Sequence, residues 1–98
     1  MNNKIAGLIG LCRKSGNLAC GATATETAIK RKKCFLVIIA GDCGESIRKK
    51  IVNLCTENAV EYRIMETKMW LGTASGLDGK AVIAVKSKDF AQGILKLL

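Results

Sequence analysis

Seven consecutive apolar residues, Cys34-Phe35-Leu36-Val37-Ile38-Ile39-Ala40, lie near the middle of this chain of 98 residues. The run is rich in β-branched side chains and has the length of a single strand. Because no polar residue alternates with the apolar ones, neither face of the strand is expected to lie in water. The run therefore predicts a central strand that is covered on both faces.

The segment before this run predicts two helices separated by a short strand. Apolar residues between Ile5 and Cys12 have the spacing of one helix face, which indicates a helix over residues 3 to 15 that ends at Gly16. Residues 18 to 20 form a short extended piece. A second helix is predicted from near Thr23 to about residue 32, and its Thr23-x-x-Glu26 start is typical of a capping box.

The segment after the run continues the alternation. It predicts a helix with a buried stripe, a strand at residues 60 to 64, a helix at 67 to 74, a strand at 80 to 85 and a last helix that Ser87 caps. The predicted buried stripe consists of Ile47, Ile51, Leu54 and Cys55. Helices that alternate with strands indicate crossover units and a mixed or parallel sheet between helices. With no linker in the chain, we expect residues 1–98 to form one α/β domain.

Positive charge is concentrated in the first half of the chain. The formal net charge is +8, and residues 1–50 hold ten Lys and Arg against three acids, whereas residues 51–98 hold six against five. Such a surplus in half of a small domain is typical of a surface that binds a polyanion, usually nucleic acid. The alternative is that basic residues merely keep the protein soluble. Lys30-Arg31-Lys32-Lys33 likewise indicates either phosphate contact or favourable charge at a helix end.

The cysteines and the apolar segments indicate a cytoplasmic protein. The five cysteines form no Cys-x-x-Cys pair and the chain has no His, so we expect neither a disulfide framework nor a metal site. We interpret the cysteines as small apolar residues in a reducing compartment. The apolar N-terminal segment is too short for a signal peptide, and no run approaches the roughly 20 residues of a membrane span.

No motif for catalysis or cofactor binding is present. The loop Gly41-Asp42-Cys43-Gly44-Glu45-Ser46 superficially resembles that of a serine nucleophile, but the usual His base is missing. No glycine-rich phosphate cradle is found, so we expect no cofactor and no enzyme activity. With only four aromatic residues, a base-stacking platform is also disfavoured.

Several segments, in this order and at these spacings, resemble a known family. They lie between Gly16 and Val85 and comprise Gly21 at the start of the second helix, Leu36 to Asp42, Asn53 to Tyr62, Leu71 to Gly76, and Ala81 to Val85. The family is that of the kink-turn-binding ribosomal proteins of archaea and eukaryotes, and the similarity is greatest to its small bacterial YlxQ-type members. The resemblance implies a three-layer α-β-α sandwich with a mixed four-stranded sheet, without catalysis. It also implies binding of RNA kink-turns, which are sharply bent helices with tandem sheared G·A pairs.

The resemblance also implies which residues contact RNA, and three of them depart from the family pattern. In the family, the start of the second helix enters a widened groove, where an Asn-Glu pair and a Lys three residues later read guanine edges. The matching residues here are Thr23, Ala24 and Thr27. These side chains can form fewer hydrogen bonds to guanine edges, and a bidentate hydrogen-bonded pair contributes about 1–3 kcal/mol to discrimination between bases. The second contact surface is the loop over residues 76–79, in which Leu77 supplies an apolar contact and Asp78 faces a base or solvent.

From these observations we predict an accessory protein of the ribosomal or translation machinery that binds structured RNA, ribosomal or messenger. The predicted RNA-binding residues are Arg13, Lys14, Gly21, Thr23, Ala24, Thr27, Lys30, Asp42, Gly76 and Leu77. Arg13, Lys14 and Lys30 are expected to contact phosphates, whereas Gly21 permits close approach. No membrane or DNA partner is expected. The alternative is a protein-interaction module with the same fold and little RNA affinity.

Overall fold

The computed structural model describes residues 3–77 and 80–98, in which five helices alternate with four strands. The helices are α1 (Asn3–Lys14), α2 (Ala22–Lys30), α3 (Glu45–Glu57), α4 (Lys68–Ser75) and α5 (Lys88–Leu95). The strands are β1 (Leu18–Cys20), β2 (Leu36–Ile39), β3 (Glu61–Ile64) and β4 (Val82–Val85). Every predicted helix and strand is present, and wherever the prediction gave bounds the ends differ by two residues or fewer.

The four strands form one mixed sheet in the order β1-β4-β2-β3. β2 runs parallel to β3, with Leu36 opposite Glu61, and antiparallel to β4, with Leu36 opposite Val85. β1 pairs antiparallel with the other side of β4. All residues of β2 and β4 are buried, as a continuous apolar run predicts for strands at the centre of a sheet.

Two groups of helices cover this sheet. α1 packs against α4 and α5, while α2 packs against α3. The core between these layers contains fully buried aliphatic side chains from every layer, among them Ile9, Ile29, Ile38 and Leu71. The predicted three-layer α-β-α sandwich is therefore confirmed.

Two apolar residues lie closer to the surface than the sequence predicts. Phe35 belongs to the predicted strand but is 44% exposed, because β2 begins only at Leu36. Ile47 belongs to the predicted buried stripe but is 41% exposed, since it lies in the first turn of α3, before the helix meets the core. Ile51 and Cys55, one and two turns later, are buried as predicted.

The predicted capping box at the start of α2 is wrong. The helix begins at Ala22 with Gly21 as its N-cap, so Thr23 lies inside the first turn. Gly21 has φ 97°, a left-handed conformation that glycine adopts without steric cost. The Gly21 N–H donates to the Val82 carbonyl at 2.8 Å, which ties the turn to β4. The Glu26 carboxylate pairs instead with α3, at 2.8 Å from the Lys50 ammonium.

The cysteines are free thiols, and Cys20 is the one that is not fully buried. Burial raises the pKa of Cys12, Cys34 and Cys55 to about 11, so these thiols are neutral at physiological pH. Within the described residues, no group of His, Cys, Asp and Glu could hold a metal ion. No helix among those residues is long and apolar enough to cross a membrane.

We expect that folding requires neither a metal ion nor a disulfide, because the cysteines pack as neutral apolar side chains. The melting temperature should be the same in plain buffer, with a chelator, and with a reductant. A loss of many degrees with the chelator alone would reveal a structural metal. The same loss with the reductant alone would reveal a disulfide.

Candidate RNA interface

At the start of α2, no side chain caps the free backbone N–H groups or offsets their partial positive charge. Its N-cap is Gly21, which offers no side-chain oxygen, and the first turn holds no acidic residue. By contrast, α4 and α5 have Thr67 and Ser87 as N-caps, whose hydroxyls accept hydrogen bonds from backbone N–H groups of the first turn. The first N–H groups of a helix lack partners within the helix and carry partial positive charge. This end of α2 can therefore bind an anionic oxygen.

Lys80 and Ile47 lie beside Gly21. A Cβ on Gly21 would stand 3.5 Å from Lys80 Cδ and 3.6 Å from Lys80 Nζ, which places the Lys80 ammonium over the glycine. Both residues help to line a small cavity of about 170 Å³ at this point. Neither belongs to the predicted set. The position of Lys80 just after the loop of residues 76–79 could have indicated it, whereas the spacing of Ile47 fits a core stripe.

Arg13 and Gly76, both predicted site residues, come together in the fold. Gly76 ends α4 with φ 78°, and a Cβ there would lie 2.8 Å from Arg13 Nη1. The guanidinium therefore lies directly against the glycine backbone. Burial raises the pKa of the Cys20 thiol, and the positive charges of Arg13 and Lys80 oppose that rise. The end of α1 therefore lies against the end of α4, and Lys80 lies at the start of α2, which follows β1 directly.

Four predicted residues are exposed along α2, namely Thr23, Ala24, Thr27 and Lys30. The Thr27 hydroxyl donates to the Thr23 carbonyl oxygen at 3.1 Å, so its hydrogen is already used within the helix. Ala24 adds no bulk to this face. Ala24 and Thr27 also line one side of a groove of about 480 Å³ between α2 and the edge strand β1.

The remaining predicted residues differ in their surroundings. Asp42 Oδ1 accepts a hydrogen bond from the Lys68 N–H at 2.8 Å, so this carboxylate helps to cap α4. Leu77 is half-buried, and its N–H donates to the Gly72 carbonyl at 3.0 Å. Lys14 is exposed at the last position of α1. Asp78 lies outside the described residues.

Known proteins resemble this chain over most of its length. The sequence model of the ribosomal protein L7Ae/L30e/S12e/Gadd45 family matches residues 3–94, nearly the whole chain. The chain belongs to this family. Over 91 residues it is 26% identical to RNA-binding protein YlxQ of Bacillus subtilis (strain 168), and this match covers 93% of the chain and 91% of YlxQ. The resemblance that the sequence indicates is therefore confirmed.

Solved structures of similar proteins share the family fold. A protein of unknown function from Bacillus halodurans has a TM-score of 0.92 and 26% identity, with 98% of this chain and 97% of that chain covered. The Giardia lamblia 15.5kD RNA binding protein has a TM-score of 0.78 and 21% identity, with 99% and 86% covered. The α-β-α sandwich is thus common to a bacterial and a eukaryotic protein.

Proposed function

We propose that this member of the L7Ae/L30e/S12e/Gadd45 family binds kink-turn RNA in the cytoplasm, as an accessory protein of the ribosome or of translation. The observation that carries the proposal is the uncapped start of α2, where the Lys80 ammonium lies over Gly21, while the Arg13 guanidinium lies against Gly76 at the end of α4. The N–H groups and the two cations supply donors and positive charge for phosphates. YlxQ and the Giardia protein, both named as RNA-binding proteins, support the assignment.

Recognition in this proposal depends on the shape of the RNA more than on contacts to base edges. Thr23 and Ala24 offer few hydrogen bonds, and the Thr27 hydroxyl is bonded to its own helix. A regular A-form duplex has a major groove too deep and narrow for side chains to read. A bent RNA with a widened groove admits the start of α2, because Gly21 and Ala24 add little bulk there.

The site is suited to binding and not to catalysis. The chain has no His, and the Asp42 carboxylate is hydrogen-bonded at the start of α4. Burial raises the pKa of Cys20, the thiol next to Gly21, which disfavours the thiolate that a nucleophile requires. We therefore expect no reaction of the RNA at this surface.

An electrophoretic shift with a kink-turn RNA and a straight duplex of equal length tests the proposal. We expect the kink-turn to bind more tightly. If roughly three to five phosphates are neutralised, log K should fall with log salt with a slope of about −3 to −4. Equal affinity for both RNAs, or a slope near zero, would contradict the proposal.

The alternative function is a protein-interaction module that has kept the fold and has little affinity for RNA. The departures at Thr23, Ala24 and Thr27 favour it, because the base-reading groups of the family are missing there. A stable protein complex that is indifferent to added RNA would support this alternative. A kink-turn preference with steep salt dependence would exclude it.

A further inference from the structure

The groove between α2 and β1 carries unpaired positive charge. Arg31, Lys33 and Lys86 line it, and no Asp or Glu does so among the described residues. None of these three cations forms an ion pair within residues 3–77 and 80–98. Because no carboxylate neutralises them locally, the groove concentrates positive potential along the edge of the sheet.

The floor of the groove is small and apolar. Leu18 and Ala19 of β1 and Ala28 of α2 contribute to it, and the volume is about 480 Å³. No aromatic side chain lines the groove among the described residues, so a base would find no stacking partner. The groove is therefore suited to bind the phosphates of a nucleic-acid strand through charge, without distinguishing one base sequence from another.

We propose that this groove binds the sugar-phosphate backbone of an RNA single strand that continues from the bent duplex at the start of α2. This inference rests on the proposed function and extends it. Ala24 and Thr27 belong both to the exposed face of α2 and to the wall of the groove, so the two surfaces are continuous. A strand that leaves the kink-turn at α2 can enter the groove past Ala24 and Thr27.

The size of the groove favours one strand. Its volume of about 480 Å³ can hold a few backbone units, and the three cations line it between a helix and a strand edge. An acidic peptide would also be attracted by three cations. Continuity with the α2 face favours RNA, and the peptide becomes one outcome of the test below.

The test compares a blunt kink-turn RNA with the same RNA that carries a short single-stranded extension at its 5′ or its 3′ end. We expect the extension at one of the two ends to tighten binding. Three neutralised phosphates on a single strand would add about −2.1 to the salt slope, so the advantage should shrink about 18-fold between 50 and 200 mM salt. No gain from either extension, with the kink-turn still preferred over the duplex, would overturn the inference alone.

Two charge-matched variants locate the effect. The triple variant Arg31→Gln, Lys33→Gln and Lys86→Gln should lose the gain from the extension, yet keep its preference for a blunt kink-turn over a blunt duplex. The control variant removes the same charge at three exposed lysines outside the groove, through Lys68→Gln in α4, Lys88→Gln in α5 and Lys96→Gln just after α5. It should keep the gain from the extension. Melting curves establish that both variants fold.

Two further results would contradict the inference, and a third would contradict the proposed function. If both triple variants lose the gain equally, the effect reflects net charge and not this groove. If an acidic peptide of equal charge displaces the extension as well as a free single strand does, the groove is a general anion site. Loss of the kink-turn preference in the wild-type chain would instead overturn the proposed function itself.

Discussion

Ala24→Leu should weaken binding of kink-turn RNA by about 1–3 kcal/mol, or roughly 5–150-fold, the usual range for forcing extra methylene groups into a close contact. Ala24 is exposed near the start of α2, where the proposed RNA groove must approach the helix. Leu has nearly the helix propensity of Ala, so the melting temperature should stay unchanged. Shift assays and melting curves on the same preparation measure both quantities.

Three further variants serve as references for this result. Thr27→Ala should cost at most about 1 kcal/mol of binding, because its hydroxyl already bonds to the Thr23 carbonyl. Gln92→Leu adds an apolar side chain at an exposed position of α5 and should leave RNA binding intact. Gly21→Val should lower both binding and stability, since a β-branched residue at φ 97° is strained by about 1–3 kcal/mol. An Ala24→Leu protein that binds like the wild type would place the RNA elsewhere.

The sequence predicted the fold well where the pattern of apolar residues matches the side chains that are buried in the structure. The run that contains β2 has no polar residue and is rich in β-branched side chains, which favours a strand covered on both faces. The start of α3 shows where this reasoning fails. Helical spacing identifies which residues share a face, but it does not say at which turn the face meets the core. Ile47 therefore matched the stripe of Ile51 and Cys55 although it lies one turn before the covered region.

Recognition of the site from sequence was less complete, because parts of the site depend on tertiary contacts. The exposed face of α2 followed from the family resemblance and from helix periodicity. The contact of the Arg13 guanidinium with Gly76 joins residues far apart in sequence, and no local pattern indicates it. The position of Lys80 after the loop of residues 76–79 is a local signal, but its place at the start of α2 depends on the fold around Gly21. The Thr23-x-x-Glu26 pattern gave a wrong prediction because α2 starts at a turn made by Gly21, without a side-chain hydrogen bond.

The triple variant Thr23→Asn, Ala24→Glu and Thr27→Lys restores the family pattern and should tighten kink-turn binding. Each bidentate base contact is worth about 1–3 kcal/mol, and 1.4 kcal/mol corresponds to tenfold, so one restored contact gives about a tenfold gain. All three positions are exposed on α2, and Thr27→Lys also removes the hydroxyl that is bonded to the helix. The kink-turn preference over a straight duplex should increase in the shift assay.

Charge cannot account for this gain, because the added Glu and Lys leave the net charge unchanged. The salt slope of the triple variant should therefore equal that of the wild type, which separates base reading from phosphate attraction. Ala24→Glu alone is the matched control, and we expect it to bind RNA less tightly, since its carboxylate lacks the compensating Lys. If the triple variant gains nothing while a charge reversal elsewhere on the surface abolishes binding, α2 is not the recognition element.

Comparing Ala24→Leu with the Ala24→Glu of the triple variant separates the effect of bulk from that of hydrogen bonding. Leu and Glu add similar bulk to an exposed position of the same helix turn, but only Glu can accept hydrogen bonds from a guanine edge. If bulk alone decided binding, the triple variant would fail as Ala24→Leu does. Loss with Leu and gain with Glu in the triple variant would show that the RNA lies close enough at Ala24 for its bases to be read. The small side chain of the natural protein would then be the reason that it recognises shape and not sequence.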